Sequence, residues 1–246
     1  MSDWQRILKE ESIATLEKLA DKFGRDVIDV EALKPAFDNF QMRITPAALE
    51  QITEVGDPMW NQYVPTVQEL DVHDGMVDSL DEDADSPVPN ITHRYPDRVL
   101  FLVSPVCASY CRFCTRRRKV GDPEKIPLNQ YESALEYIRQ HPEVRDVILS
   151  GGDPMMLSDR RLEYLFQRLR EIPHVEIIRI GSRITSHLRA HHAGVLRDGE
   201  EVPPDLHEHA LRSPLRAHAR RRGRARPARR RRGAARVPDR APQGRE

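Results

Sequence analysis

Cysteine is scarce in this 246-residue chain, and all three cysteines fall between positions 107 and 114. That excludes a disulfide-stapled scaffold and points instead to metal or redox chemistry in a reducing compartment. Long apolar runs are missing too: nothing approaches the roughly 18 residues that a membrane span requires. The start, Met1-Ser2-Asp3-Trp4, lacks the basic-then-apolar order of a secretory leader. A cytoplasmic location and no membrane partner are therefore expected. Aromatic residues make up only 6% and hydrophobic residues 39%, low values that still allow a packed core.

Net charge is also absent, and its value of zero conceals two unlike segments. Residues 186–246 hold 16 Arg against 7 Asp and Glu, a charge of +9, which leaves −9 for the rest. The same segment contains no Phe, Tyr, Trp, Ile, Met, Lys, Asn, Thr or Cys. A stretch of that composition cannot bury a core and is expected to be disordered.

The first two thirds read differently. Ile7, Leu8, Ile13, Leu16, Leu19, Ala20 and Phe23 recur at helical spacing and predict one amphipathic helix over 3–24, stopped by Gly24. Thr45-Pro46 opens a second helix through Leu49 and Ile52, ending near Gly56. Residues 57–97, rich in Pro and Asp, are expected to be largely irregular, and the run Asp81–Asp85 is read as a solvated acidic loop. Beyond it, Val99–Val103, Val147–Leu149 and Glu176–Ile180 are apolar runs of strand length. Between them lie a helix through Ala134, Leu135 and Ile138, with Asn129 and Glu132 as a capping box, and a helix capped by Ser158. Strand–helix–strand–helix–strand predicts an α/β fold with a parallel sheet, open or closing into a barrel.

Ligands in such sheets sit beyond the carboxyl ends of the strands. The loops there hold Cys107–Cys114, then Ser150-Gly151-Gly152-Asp153, then Gly181-Ser182-Arg183. Cys107, Cys111 and Cys114 have the spacing C-x3-C-x2-C. Thiolates are soft ligands suited to iron–sulfur clusters or zinc. An ordinary electron-transfer cluster uses four cysteines, so three leave one iron open for chemistry. The alternative is a structural zinc site completed by a histidine such as His93.

C-x3-C-x2-C after the first strand of a parallel sheet, followed by a glycine pair after the second, resembles the radical S-adenosylmethionine superfamily. The surrounding wording resembles its lysine 2,3-aminomutases more narrowly: Thr92-His93-Arg94-Tyr95-Pro96-Asp97-Arg98, Cys111-Arg112-Phe113-Cys114-Thr115-Arg116-Arg117-Arg118 and Arg145–Asp153 carry it, as does Ile172–Arg183. It covers about residues 3–185. Phe113 departs from the pattern, since many members have histidine there.

The resemblance implies a partial (βα) barrel at 98–185 after a helical region at 1–97. It implies a [4Fe-4S] cluster on the three cysteines, S-adenosylmethionine held beside Ser150, Gly151, Gly152 and Asp153, and pyridoxal 5'-phosphate contacted by Arg94, Tyr95 and Arg98. It makes Arg116 the residue for the substrate carboxylate. The implied reaction moves an amino group between C2 and C3 of a small amino acid, with electrons from a flavodoxin- or ferredoxin-type donor and a homo-oligomer as one assembly. A radical enzyme without pyridoxal phosphate, or a non-enzymatic metal- or nucleic-acid-binding protein, is the alternative.

The pattern stops after Arg183. Synonymous codons for Glu201–Arg220, shifted by one nucleotide, spell KYHPIYMNTHFAHPSELTP, which resembles a segment that lysine 2,3-aminomutases carry after the third strand. Residues 186–246 are thus expected to be out of frame, and the chain is expected to be an inactive fragment. Nucleic-acid binding by the basic stretch is the less favoured reading.

Overall fold

The computed structural model describes residues 3–71 and 76–188, all within one compact unit spanning 1–201. Of the stretch 186–246 that was expected to be disordered and out of frame, residues 186–188 are described and ordered, with His187 and Leu188 buried, and 189–246 lie outside the described residues. No described helix is long and apolar enough to cross a membrane.

The N-terminal helix is broken where a single one was expected. Helix α1 spans Asp3–Arg6 and runs into a π-helical turn at Ile7–Glu11. Ser12 then folds its hydroxyl back on the Ile7 carbonyl, and Ile13 forms an antiparallel bridge with Ile44. The chain restarts as α2 (Leu16–Phe23), capped by Thr15 Oγ1 accepting from the Lys18 N–H at 3.2 Å. Buried Leu16, Leu19 and Ala20 keep helical spacing, which is why the apolar periodicity looked continuous across the break.

Helix α3 (Val30–Asn39) was not anticipated, because Pro35 interrupts the pattern inside it. Asp29 offsets part of that cost by capping the Ala32 N–H at 3.0 Å. The helix after Thr45 is only α4 (Pro46–Leu49), and α5 (Trp60–Tyr63) is a further single turn. These pieces share one core, in which Ile13, Leu16, Leu19, Met42, Ile44, Trp60 and Tyr63 are buried and Cys111 packs against the edge. Burying each large side chain contributes about 1.5–3 kcal/mol, so this cluster holds short helices that would not persist alone.

Asp57 starts α5. Its carboxylate accepts the Trp60 N–H at 2.6 Å, the Thr53 N–H at 2.7 Å and the Thr53 hydroxyl at 2.9 Å. The backbone donors of Trp60 and Thr53 lower its pKa from 3.8 to about 2. A pKa depressed by folding gives stability that is present above the unfolded value and lost as pH falls through the folded one. Asp57→Asn is therefore expected to flatten the stability profile between those two values, as read by acid unfolding. An unchanged profile would show that the cap carries no linkage.

The sheet has the order β1-β2-β3-β4, with β1 (Ile91–Tyr95), β2 (Arg98–Ser104), β3 (Asp146–Gly151) and β4 (Ile177–Ile180). The three expected strands are parallel, and β1, absent from the sequence reading, joins β2 as an antiparallel hairpin. Helices α6 (Tyr131–Gln140) and α7 (Asp159–Arg170) cover one face. Val99, Phe101, Val103, Val147 and Leu149 meet Leu135, Ile138, Leu162, Leu165 and Leu169 there. This is an open four-stranded sheet, partial relative to a closed barrel. Ile177 and Ile180 on β4 remain more than a third exposed, and β4 has one strand neighbour among the described residues.

Both expected caps are missing. Glu132 turns to Tyr164 and Arg168 instead of closing a box, and the Ser158 side chain makes no capping bond, although its backbone takes the cap conformation. A short helix α8 (Ile184–His187) ends the described chain.

Candidate functional site

The loops after β2, β3 and β4 converge. Between Leu102 and Ser104 the register against β3 slips, a bulge that re-aims the chain just before Cys107. Gly152 N–H then donates to the Ser104 carbonyl at 2.6 Å and Asp153 N–H to the Val106 carbonyl at 2.8 Å. A Cβ on Gly151, which lies at φ +115°, would collide with the Ser104 carbonyl, and one on Gly152 with that of Val106. The glycine pair is thus required by the close approach of two backbones. Asp153 is buried, and its carboxylate accepts from Met155 N–H at 3.0 Å, Ser182 Oγ at 2.9 Å and Arg183 N–H at 2.9 Å. It ties the β3 loop to the β4 loop through protein donors.

Cys107, Cys111 and Cys114 are free and half-buried. Burial pushes all three thiols up, and neighbouring cysteines push Cys107 and Cys111 further. Arg183 opposes the rise at Cys111, and the Arg116 backbone N–H opposes it at Cys114. Three thiols that feel one another across a single loop fit a soft metal group. Among the described residues no three His, Cys, Asp or Glu side chains converge on one point as a single ion would require. His93, the fourth ligand suggested for zinc, faces α6 instead, with Nδ1 2.7 Å from the Tyr137 hydroxyl.

The cysteine loop is anchored by residues that the sequence reading left unassigned. Arg112 is buried, with Nε and Nη2 on Glu69 at 3.0 and 2.7 Å and Nη1 on the Phe40 carbonyl at 2.8 Å. Arg43 reaches the Cys107 carbonyl at 2.9 Å. Glu82, Asp83 and Asp78 take Arg116 at 2.8 Å, Lys119 at 2.7 Å and Arg118 at 2.6 Å. The acidic run is therefore only partly the solvated loop expected: Asp81, Asp83 and Ala84 are exposed, whereas Glu82 is 5% exposed. The sequence signal was present as two complementary charge runs, 78–85 and 116–119, each read alone.

Arg116 sits beside Cys114, and Glu82 occupies its Nη2, while Arg116 Nε and Glu82 Oε2 are buried without partners. Arg94, Tyr95 and Arg98 are not brought to the cysteines. They lie at the β1–β2 turn, and β2 separates Arg98 from the loop by six residues, roughly 20 Å. Arg98 forks onto Asp97 with two bonds of 2.8 Å, Arg94 binds the Leu80 carbonyl at 2.7 Å, and Tyr95 is 59% exposed. A separate cavity of about 540 Å3, lined by Trp4, Arg43, Val106, Met156 and Arg161 among others, contains none of the cysteines.

A parallel sheet carrying C-x3-C-x2-C on its first carboxyl-end loop, stitched to a glycine pair on the second, defines a class. The chain belongs to the Radical SAM superfamily, whose profile matches residues 101–240. That match continues past residue 186, where the frame is expected to slip. Within the superfamily the chain groups with the lysine 2,3-aminomutases. It is 46% identical over 184 residues to L-lysine 2,3-aminomutase of Fusobacterium nucleatum, covering 73% of this chain and 43% of that protein. It is 45% identical over 186 residues to that of Clostridium subterminale, covering 74% and 44%. The glutamate 2,3-aminomutase of Clostridioides difficile is 34% identical over 183 residues, covering 73% and 43%. The chain spans less than half the length of these curated relatives.

Proposed function

We propose that Cys107, Cys111 and Cys114 hold three irons of a [4Fe-4S] cluster and that the chain carries the cluster-binding part of a 2,3-aminomutase acting on a small amino acid. The observation that carries this is the placement of the three cysteines where the loops after β2, β3 and β4 meet. When bound at the open iron, S-adenosylmethionine supplies the hydrogen-abstracting chemistry, and the protein orients and shields it. Ser150, Gly151, Gly152 and Asp153 are the residues that would hold that molecule, a reading supported by the bonds from Gly152 and Asp153 N–H to the Ser104 and Val106 carbonyls just before Cys107. Arg116 keeps a buried Nε donor open next to Cys114, as a carboxylate-binding residue requires. A flavodoxin- or ferredoxin-type donor belongs to the same reading.

The 246-residue chain by itself is not expected to complete the amino shift, because the family pattern stops after Arg183 and the chain spans less than half the length of the relatives it matches. The test is anaerobic reconstitution of the chain, with iron, zinc and acid-labile sulfide measured and lysine and glutamate offered as substrates. Iron and sulfide in equal amounts without turnover are expected. Zinc without sulfide would overturn the cluster, and a 3-amino product would overturn the inactivity.

A further inference from the structure

We propose that Arg183 is a positioning residue of the cysteine site, donating to the Cys111 sulfur and thereby raising the reduction potential of a cluster bound there. The inference rests on the reading of the cysteines as cluster ligands. Arg183 Nη1 lies 3.0 Å from Cys111 Sγ, a short distance for a bond to sulfur. The guanidinium sits 5.4 Å above the Phe113 ring, and Nη2 reaches Gln62 Oε1 at 3.5 Å. The Arg183 backbone N–H is fixed on buried Asp153 at 2.9 Å. Three contacts, from Phe113, Gln62 and Asp153, thus aim one charged donor at one ligand sulfur. Phe113, the residue that departs from the family's histidine, supplies the aromatic face on which the cation rests.

Reduction adds one electron and one negative charge to the cluster, with no bond made or broken. A donor and a positive charge at a ligating sulfur stabilise the more negative state, so they raise the potential. Removing them lowers it.

The chain and its Arg183→Leu, Arg183→Lys and Phe113→Leu variants would be reconstituted without oxygen and titrated with dithionite, the reduced cluster being followed by electron paramagnetic resonance. Arg183→Leu is expected to shift the midpoint to more negative values at unchanged iron content, with Lys intermediate and Phe113→Leu shifted in the same direction. A wild-type midpoint in fully loaded Arg183→Leu would overturn the proposal. If that variant loses its cluster, Arg183→Gln decides, because it keeps a side-chain N–H without the charge: a lowered midpoint supports the proposal and an unchanged one overturns it. Failure of the unaltered chain to take up iron and sulfide would instead defeat the cysteine reading itself.

Discussion

Replacing Cys107, Cys111 or Cys114 singly with alanine is expected to reduce iron and sulfide uptake to background while leaving the fold intact. A cube bound through three corners has no spare protein ligand, so losing one thiolate exposes a second iron to solvent and exchange. The packing loss is small, because the three side chains are only half-buried and Cys107 and Cys114 sit at the edge of a minor cluster with Phe40, Tyr110 and Val120. Deleting one sulfur there costs on the order of 1 kcal/mol, below the usual stability of a domain. Helical circular dichroism and the unfolding midpoint should therefore stay near those of the parent chain, which separates loss of a ligand from loss of structure. A variant that loads iron and sulfide as fully as the parent would remove that cysteine from the ligand set, and with it the assignment of the motif.

The sequence announced this site because its chemistry is local. Three sulfurs in eight residues and a glycine pair after a strand need no tertiary knowledge, and the period of the apolar residues places both on the same end of one sheet. Strands β2 and β3 were legible for the same reason, each being a short run buried between neighbours, and β4 was legible from its apolar run alone, although it lies at the edge with Ile177 and Ile180 exposed. What escaped was set by contacts between distant segments. The break at Ser12–Ile13 comes from a bridge to Ile44, and the apolar spacing continues across it undisturbed. Helix α3 was hidden by Pro35, whose missing N–H is tolerated because Asp29 caps the helix and the short pieces share a core. The glycine pair was legible as a loop after a strand, but its need for missing side chains, set by the close backbones of Ser104 and Val106, was not. Strand β1, which carries Arg94 and Tyr95, escaped because its pairing with β2 is made by an antiparallel turn inside a stretch rich in Pro and Asp.

The strongest stability effect is expected at Arg112. Arg112→Ala should destabilise the chain by about 3–5 kcal/mol, the range for breaking a buried ion pair by removing one partner. The side chain is 6% exposed and Glu69 is 20% exposed, so neither charge can be re-solvated cheaply. The substitution leaves Glu69 with the longer contact to Arg117 at 3.5 Å as its one cation among the described residues and also removes the donor to the Phe40 carbonyl and the weaker one to Ala36 at 3.3 Å. Its guanidinium lies 5.2 Å from the Phe40 ring centroid, adding a contact that alanine cannot replace. Denaturant unfolding of Arg112→Ala, Glu69→Ala and the double variant measures the coupling directly. The double variant should be less destabilised than the sum of the singles by about 0.5–3 kcal/mol, because the stranded charge is gone. Additive losses, or a cost under about 1 kcal/mol for Arg112→Ala, would mean that the pair does not hold the loop. The consequence reaches the metal site through covalent connectivity: Arg112 follows Cys111 directly, and its own N–H is bound to the Gln62 carbonyl at 2.8 Å. A loop released at that point can no longer keep Cys111 and Cys114 in fixed register, so cluster uptake in Arg112→Ala should fall together with stability, whereas Arg139→Ala on the solvent side of α6 should change neither.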